Sequence, residues 1–220
     1  MKDKQTISRM FNRVAGNYDL MNLIITFGGV HFWRRASLAE VTSAKRALDV
    51  ATGTGAYIPE LKKIADSVEG VDFSPGMLEI AKRRFPDVNF TEGDALNLPF
   101  PDKSFDLVTI GFGIRNFENL ELGLREIKRV LNGTLVILES GPPQSFLGRL
   151  LAKIHAGLWV PLVARLCSSD PKAYSYLLKS TESFLTGLEI KQLLESLGFK
   201  EVKTKTLAFG NINIIKAKVC

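Results

Sequence analysis

Leu48-Asp49-Val50-Ala51-Thr52-Gly53-Thr54-Gly55 decides how this chain reads. Residues 46–51 run into it as a buried strand, and residues 56–64 leave it as a helix. Small residues at such a turn let the backbone bend sharply and come close to a ligand. In an open α/β sheet this turn sits at the carboxyl end of a strand, where ligands bind. The same pattern also serves as a plain tight connection. Further along, residues 68–72, 88–92, 105–112 and 135–139 read as strands with helices between them. Ser74-Pro75 supplies an N-cap and a first-turn proline, and Met77, Leu78, Ile80 and Ala81 give the following helix an apolar face. Asn119 can cap a helix running to Leu131. Such alternation predicts an α/β fold, a parallel sheet with helices on both faces.

After Ser140 the pattern changes. Residues 146–166 and 173–180 are apolar helical stretches without a strand between them. A helix over 189–197 is closed by Gly198, and 201–207 with 211–218 form a terminal strand pair joined at Gly210. One domain is expected over 1–220: a helical cap (1–45), a cofactor-binding core (46–140), a helical insertion (141–187) and a closing αββ unit (188–220). Phe11, Tyr18, Leu20, Met21, Phe32 and Trp33 would pack the cap over one end of the sheet. Leu147, Leu150, Leu151, Ile154, Leu158 and Trp159 form a stripe with two readings: plain core, or the wall of a greasy tunnel.

The composition narrows the classes. With 220 residues, 45% hydrophobic and 24% charged, the chain can bury a core without staples. It is not collagen, coiled coil or a disordered tract. Cys167 and Cys220 lie far apart, so no disulfide framework is expected. His31 and His155 are isolated, so no metal site is expected. The N-terminus has no signal-peptide core, and no apolar run approaches the roughly 20 residues of a spanning helix. A soluble, cytoplasmic protein is expected. The net charge of +6 is uneven: residues 1–46 hold eight Lys/Arg against three Asp/Glu, and residues 200–220 five against one. These basic ends read as solvated surface or as contact with an anionic membrane or nucleic acid.

Two acids extend the site. Asp72 ends the second strand, where a carboxylate suits the hydroxyls of a ribose. Gly93-Asp94-Ala95 follows the third strand; Asp94 could accept an adenine amino group and the Ala95 amide could meet a ring nitrogen. Each acid has a plainer reading, as a solvated strand end or a turn residue. Together with the glycine turn they point to a nucleoside-bearing cofactor. The strict dinucleotide pattern fails, since Ile58 stands where its last glycine would be.

Asp49, Gly53, Gly55, Asp72 and Asp94, each at a strand end and in this order, resemble the class I S-adenosylmethionine-dependent methyltransferases. So do Leu98-Pro99-Phe100 and Ser104-Phe105-Asp106. A closer resemblance lies outside that core. Phe11, the run Val14-Ala15-Gly16-Asn17-Tyr18-Asp19-Leu20-Met21-Asn22, Trp33, Phe112-Gly113-Ile114-Arg115-Asn116 and Tyr174-Ser175-Tyr176-Leu177-Leu178-Lys179-Ser180 resemble the quinone-biosynthesis C-methyltransferases. Those enzymes methylate the ring of demethylmenaquinol or of a ubiquinol precursor. The resemblance implies a Rossmann-like seven-stranded sheet, S-adenosyl-L-methionine as cofactor and a prenylated quinol as substrate.

It also implies site residues. Cofactor contacts fall on Thr54, Asp72, Asp94 and Ala95, with Gly111 standing where the family carries a serine. Tyr18 and Arg115 would wall the reactive end. Arg115 is assigned to phenolate stabilisation and Asn116 to orienting the ring or a water; the plainer reading pairs Arg115 with Glu118. Asp19 and His31 are the candidate proton acceptors. The chain departs from the family at Thr52-Gly53 (for Gly-Gly), at Leu131-Asn132-Gly133-Thr134 (for Lys-Pro-Gly-Gly) and at Ile214-Ile215 (for Ile-His). Menaquinone biosynthesis is the first choice. Another lipid-like acceptor, a non-catalytic cofactor-binding subunit, a nucleic-acid methyltransferase and a dehydrogenase stand as alternatives. Nucleic acid is not an expected partner; peripheral membrane contact and a homodimer stay open.

Overall fold

The computed structural model describes the backbone of residues 4–167 and 170–219. Cys220 and the side chain of Cys167 lie outside the described residues, and the cysteine expectation with them. Three helices come first: α1 (Lys4–Val14), α2 (Tyr18–Ile25) and α3 (Gly29–Leu38). Then β1 (Ala44–Val50), α4 (Ile58–Leu61), β2 (Ala65–Asp72), α5 (Pro75–Arg84), β3 (Asn89–Glu92), β4 (Phe105–Gly111), α6 (Leu120–Val130) and β5 (Leu131–Ser140) alternate. The chain continues through α7 (Phe146–Ile154), a π turn (His155–Trp159), α8 (Val160–Cys167), α9 (Pro171–Glu182) and α10 (Gly187–Ser196). It closes with β6 (Lys200–Leu207) and β7 (Ile212–Lys218).

The seven strands form one sheet in the order β3-β2-β1-β4-β5-β7-β6. β1 to β5 pair in parallel; β7 runs antiparallel between β5 and β6. The order reverses between β1 and β4, so their carboxyl ends open the crevice at which open α/β sheets bind ligands. The central strands are buried on both faces, which is why 105–111 and 135–138 read as nearly unbroken apolar runs. The expected caps are in place: the Ser74 hydroxyl accepts from the Met77 N–H with Pro75 at the first turn, and Asn119 accepts from the Leu122 N–H.

Two elements differ from the sequence reading. α4 is only one turn long, with 62–64 following as a turn, and β2 begins at Ala65, pairing with Ala44, three residues ahead of the expected strand start at 68. β5 starts at Leu131, directly after α6, although Asn132-Gly133 carries a turn signal. A Cβ on Gly133 would stand 2.2 Å from the Asp106 carbonyl, so the glycine serves strand contact where the β4–β5 ladder is irregular.

The insertion removes one of the two readings of the stripe and joins the short apolar runs of 146–166 into one long helix. Residues 146–166 form a continuous 21-residue helix, long and apolar enough by composition to cross a membrane, and mostly unburied. Its charged residues break the run in a linear reading, yet they project from one continuous helix. Leu147, Leu150, Leu151, Ile154 and Leu158 are exposed, so the stripe is not core. Trp159 is half-buried and stacks on Phe27, 4.9 Å between ring centroids. The helix's other side, with Val160 and Val163, shares one cluster with Phe11 and Met21 of the first helices and with Tyr174 of α9. Cap and insertion thereby roof the carboxyl end of the sheet.

Candidate active site

The turn after β1 bends through Gly53 (φ +56°) and Gly55 (φ +78°), values a side chain rarely adopts. A Cβ on Gly55 would press on the Phe85 ring at 2.9 Å, whereas a Cβ on Gly53 would meet nothing within 4 Å. Gly53 therefore shows bare backbone to open space. Its N–H donates to the Asp72 carboxylate at 2.8 Å, and the other Asp72 oxygen accepts from the Ser74 N–H at 2.8 Å. Asp49 accepts from the hydroxyls of Thr52 and Thr109, both at 2.7 Å. Burial pushes both Asp49 and Asp72 up to about 6, against the pull of these hydrogen bonds.

Tyr18, Asp49, Gly53, Thr54, Asp72 and Gly111 line a narrow cavity of about 60 Å³, with Arg34, Phe112 and Asn116 also on its wall. Gly55, Asp94 and Ala95 are not brought to it. Gly55 shapes the turn, and Asp94 pairs with Lys4 of α1 at 2.7 Å while accepting from the Leu96 N–H. The family's serine could not stand at 111 here, because a Cβ there would lie 2.4 Å from the ring of Tyr57.

Thr54 turns toward the cap. Its hydroxyl donates to the Asp19 carboxylate at 2.9 Å; Arg84 pairs with the same carboxylate and donates to the Thr54 carbonyl at 3.1 Å. Asp19 is thus committed to an ion pair, and His31 is exposed on α3; neither lines a cavity, so neither proton-acceptor candidate is brought to the site.

A second cavity of about 630 Å³ lies under the insertion, lined among others by Asn22, Trp33, Phe112, Arg115, Tyr174 and Leu177. Tyr18 and Phe112 border both cavities, so the two meet there. Beside this junction Arg115 is buried, its Nη1 2.5 Å from Glu139 and 2.8 Å from the Phe112 carbonyl. The pairing with Glu118 does not occur: Glu118 is exposed, while the turn Ile114–Asn116 aims Arg115 inward at the end of β5. Tyr176 donates its hydroxyl to the Asn116 side-chain oxygen Oδ1 at 3.1 Å. The Tyr174 hydroxyl is buried with no hydrogen-bond partner among the described residues. Burial pushes the Tyr18 hydroxyl up, with Arg115 pulling the other way.

Sequence reasoning missed Glu139, Arg34 and Tyr57. Glu139 left one signal, a single acid at the carboxyl end of the apolar run 135–139. Arg34 and Tyr57 left none.

A sheet of this order, with a glycine turn and a buried acid facing its switch point, defines the Rossmann-like methyltransferases. A solved S-adenosylmethionine-dependent methyltransferase from Thermotoga maritima shares the fold with TM-score 0.71 at 23% identity, over 96% of this chain and 99% of that one. The chain belongs to the ubiE/COQ5 methyltransferase family, whose model matches residues 1–218. It is similar to the demethylmenaquinone methyltransferase of Thermotoga maritima, 43% identical over 95% of this chain and 94% of that one. It is also similar to that of Deinococcus radiodurans, 41% identical over 94% of this chain and 89% of the relative.

The residues present fit the methyl-donor cofactor. The Asp72 carboxylate, after two amide bonds, keeps acceptor capacity for a ribose. Open space lies over Gly53, and Arg34 provides a buried cation on the same wall.

Proposed function

We propose that this methyltransferase transfers a methyl group to the ring carbon of a prenylated quinol, converting demethylmenaquinol to menaquinol. One observation carries the reading: a narrow cavity bearing Asp49, Asp72 and Arg34 meets a large apolar one at Tyr18 and Phe112, beside a buried guanidinium. The names of the similar enzymes from Thermotoga and Deinococcus support the choice of quinol. S-adenosylmethionine, when bound, supplies an electrophilic methyl group and keeps the carbon–sulfur electron pair on leaving.

In this reading Asp72 holds the ribose hydroxyls, the Gly53 backbone allows close approach, and Asp94 with Ala95 takes the adenine edge once Asp94 exchanges its contact with Lys4. Asp49 keeps the turn in shape through Thr52 and Thr109. Arg34 faces the carboxylate end. A quinol carbon attacks well only as the phenolate, and phenols titrate near 10. Arg115 lowers that barrier with N–H groups directed at the ring oxygen. Glu139 cancels much of its net charge, so geometry carries more of the effect than bare charge does. Asn116 has given its side-chain oxygen to Tyr176 and keeps its amide N–H groups for the ring or a water. The ring carbon's electron pair forms the new C–C bond. Its C–H proton then leaves, the oxygen regains a proton, and one proton in total passes to water.

The test is incubation with labelled S-adenosylmethionine and a short-chain demethylmenaquinol under reducing conditions, with mass analysis. One added ring methyl is expected. Binding of S-adenosylhomocysteine without turnover on any quinol would favour a non-catalytic role. We also infer that the protein works in the cytoplasm, at the membrane surface where a prenylated quinol resides.

A further inference from the structure

We propose that the outer face of the 146–166 helix, flanked by Phe27 and Phe209, lies in the interface of an anionic bilayer and opens the large cavity toward it. This deepens the prenylated-quinol reading, which names what would pass through; the face itself rests on exposure, charge and strain.

Phe146, Leu150, Ile154, Leu158, Leu162 and Leu166 recur every four residues and are each 45–77% exposed. In a plain α-helix each four-residue step overshoots a turn by roughly 40°. The π turn at His155–Trp159 is wider and takes up part of that drift, holding the stripe together along the helix. No acid occurs anywhere in 146–166, while Arg149, Lys153 and Arg165 are exposed and have no acidic partner among the described residues. An apolar stripe edged by unpaired cations is the pattern of a helix lying among lipid headgroups.

Strain supports the same face. Phe27 (φ +51°) and Phe209 (φ +56°) both hold left-handed backbone, unusual for bulky residues, and both rings are largely exposed. Phe27 stacks on Trp159 within the π turn, and the Phe209 loop lies against α7, where a Cβ on Gly148 would strike the Phe209 carbonyl at 2.3 Å. Phe27, Leu151 and Phe209 also line the large cavity, so the exposed face and the cavity wall are continuous. A second copy on this face would bring its cations against their own likeness. A spanning helix would carry three cations into hydrocarbon. The interface accommodates both features: leucines sink into it and cations meet anionic headgroups.

Flotation of the whole protein with vesicles tests this. Binding to phosphatidylcholine vesicles containing phosphatidylglycerol is expected, weakened at least tenfold by high salt, with little binding to phosphatidylcholine alone. Leu158→Glu/Leu162→Glu, at exposed sites outside both cavities, is expected to reduce vesicle binding at least tenfold while melting and S-adenosylhomocysteine affinity stay as in the parent. Absence of binding to anionic vesicles overturns the proposal. So does resistance to carbonate extraction, which means a spanning helix, or a dimer that the same double variant splits in sedimentation. Turnover on a detergent-dispersed short-chain quinol separates the two readings: turnover without vesicle binding removes only the docking face, and vesicle binding without turnover removes only the quinol.

Discussion

Glu139 and Arg115 form an ion pair at 2.5 Å, 0% and 6% exposed at their side chains, beside the junction of the two cavities. Breaking a buried pair leaves one charge uncompensated. Glu139→Gln is therefore expected to destabilise the fold by about 3–5 kcal/mol, read by urea unfolding. Arg115→Met/Glu139→Gln removes both charges while an amide oxygen still accepts from the backbone N–H groups of residues 115 and 140, and is expected to regain most of that stability without regaining turnover. In whatever folded fraction survives, Arg115→Met alone should shift the pH optimum upward, toward unaided phenol ionisation. Normal turnover and an unmoved profile would reduce Arg115 to a structural role.

Asp72 and Asp49 ionise near 6 in the fold and near 3.8 in the unfolded chain. Between those values the folded state holds more protons on these two acids, so their contribution to stability without ligand is expected to fall as pH rises from 4 to 6 and to level off above, read as the difference between the parent and Asp49→Asn/Asp72→Asn. Cofactor binding runs the other way, because ribose hydroxyls donate to the ionised acid. Calorimetry should find S-adenosylhomocysteine affinity falling up to tenfold for each pH unit below about 6. Asp72→Ala should cost about 1.5–3 kcal/mol of that affinity at neutral pH. Asp94→Ala should cost less, since one contact to a neutral donor is lost.

Asp19 ties α2 to Arg84 and to Thr54, which lines a cavity far smaller than the few hundred Å³ a cofactor of this size fills. Withdrawal of the cap is expected to accompany entry. Asp19→Asn is expected to leave global stability within about 1 kcal/mol, since the ion pair is exposed. It should speed amide exchange in α1 and α2 and accelerate release of S-adenosylhomocysteine. Unchanged exchange there would mean that packing of Phe11 and Met21 alone holds the cap shut.

Tyr174 keeps a hydroxyl that nothing in the described fold satisfies. Tyr174→Phe is expected to raise unfolding free energy by about 1 kcal/mol. Affinity for a short-chain quinol should fall several-fold at the same time if the hydroxyl meets a ring oxygen. A stability gain with unchanged quinol affinity would make Tyr174 a packing residue.

The parallel half of the sheet was legible because its signals are local: the glycine turn, Ser74-Pro75, Asn119 and the double-faced apolar strands. What escaped was non-local. Arg115 finds Glu139 from 24 residues away, and Lys4 reaches Asp94 across 90, so no spacing rule could pair them. Asn132-Gly133 speaks of a turn on its own and becomes strand only against Asp106. The stripe on 146–166 was seen, but periodicity reports that a face is apolar and not what covers it.

β7 follows β6 in the chain yet enters the sheet between β6 and β5. The hairpin therefore joins the sheet through its second strand, β7 against β5, and β6 becomes the outer edge. A chain cut before residue 212 would keep the whole glycine turn and most of both cavities' walls, but would leave β5 a bare edge ready to pair with a neighbour. Truncated forms should therefore fail by aggregation.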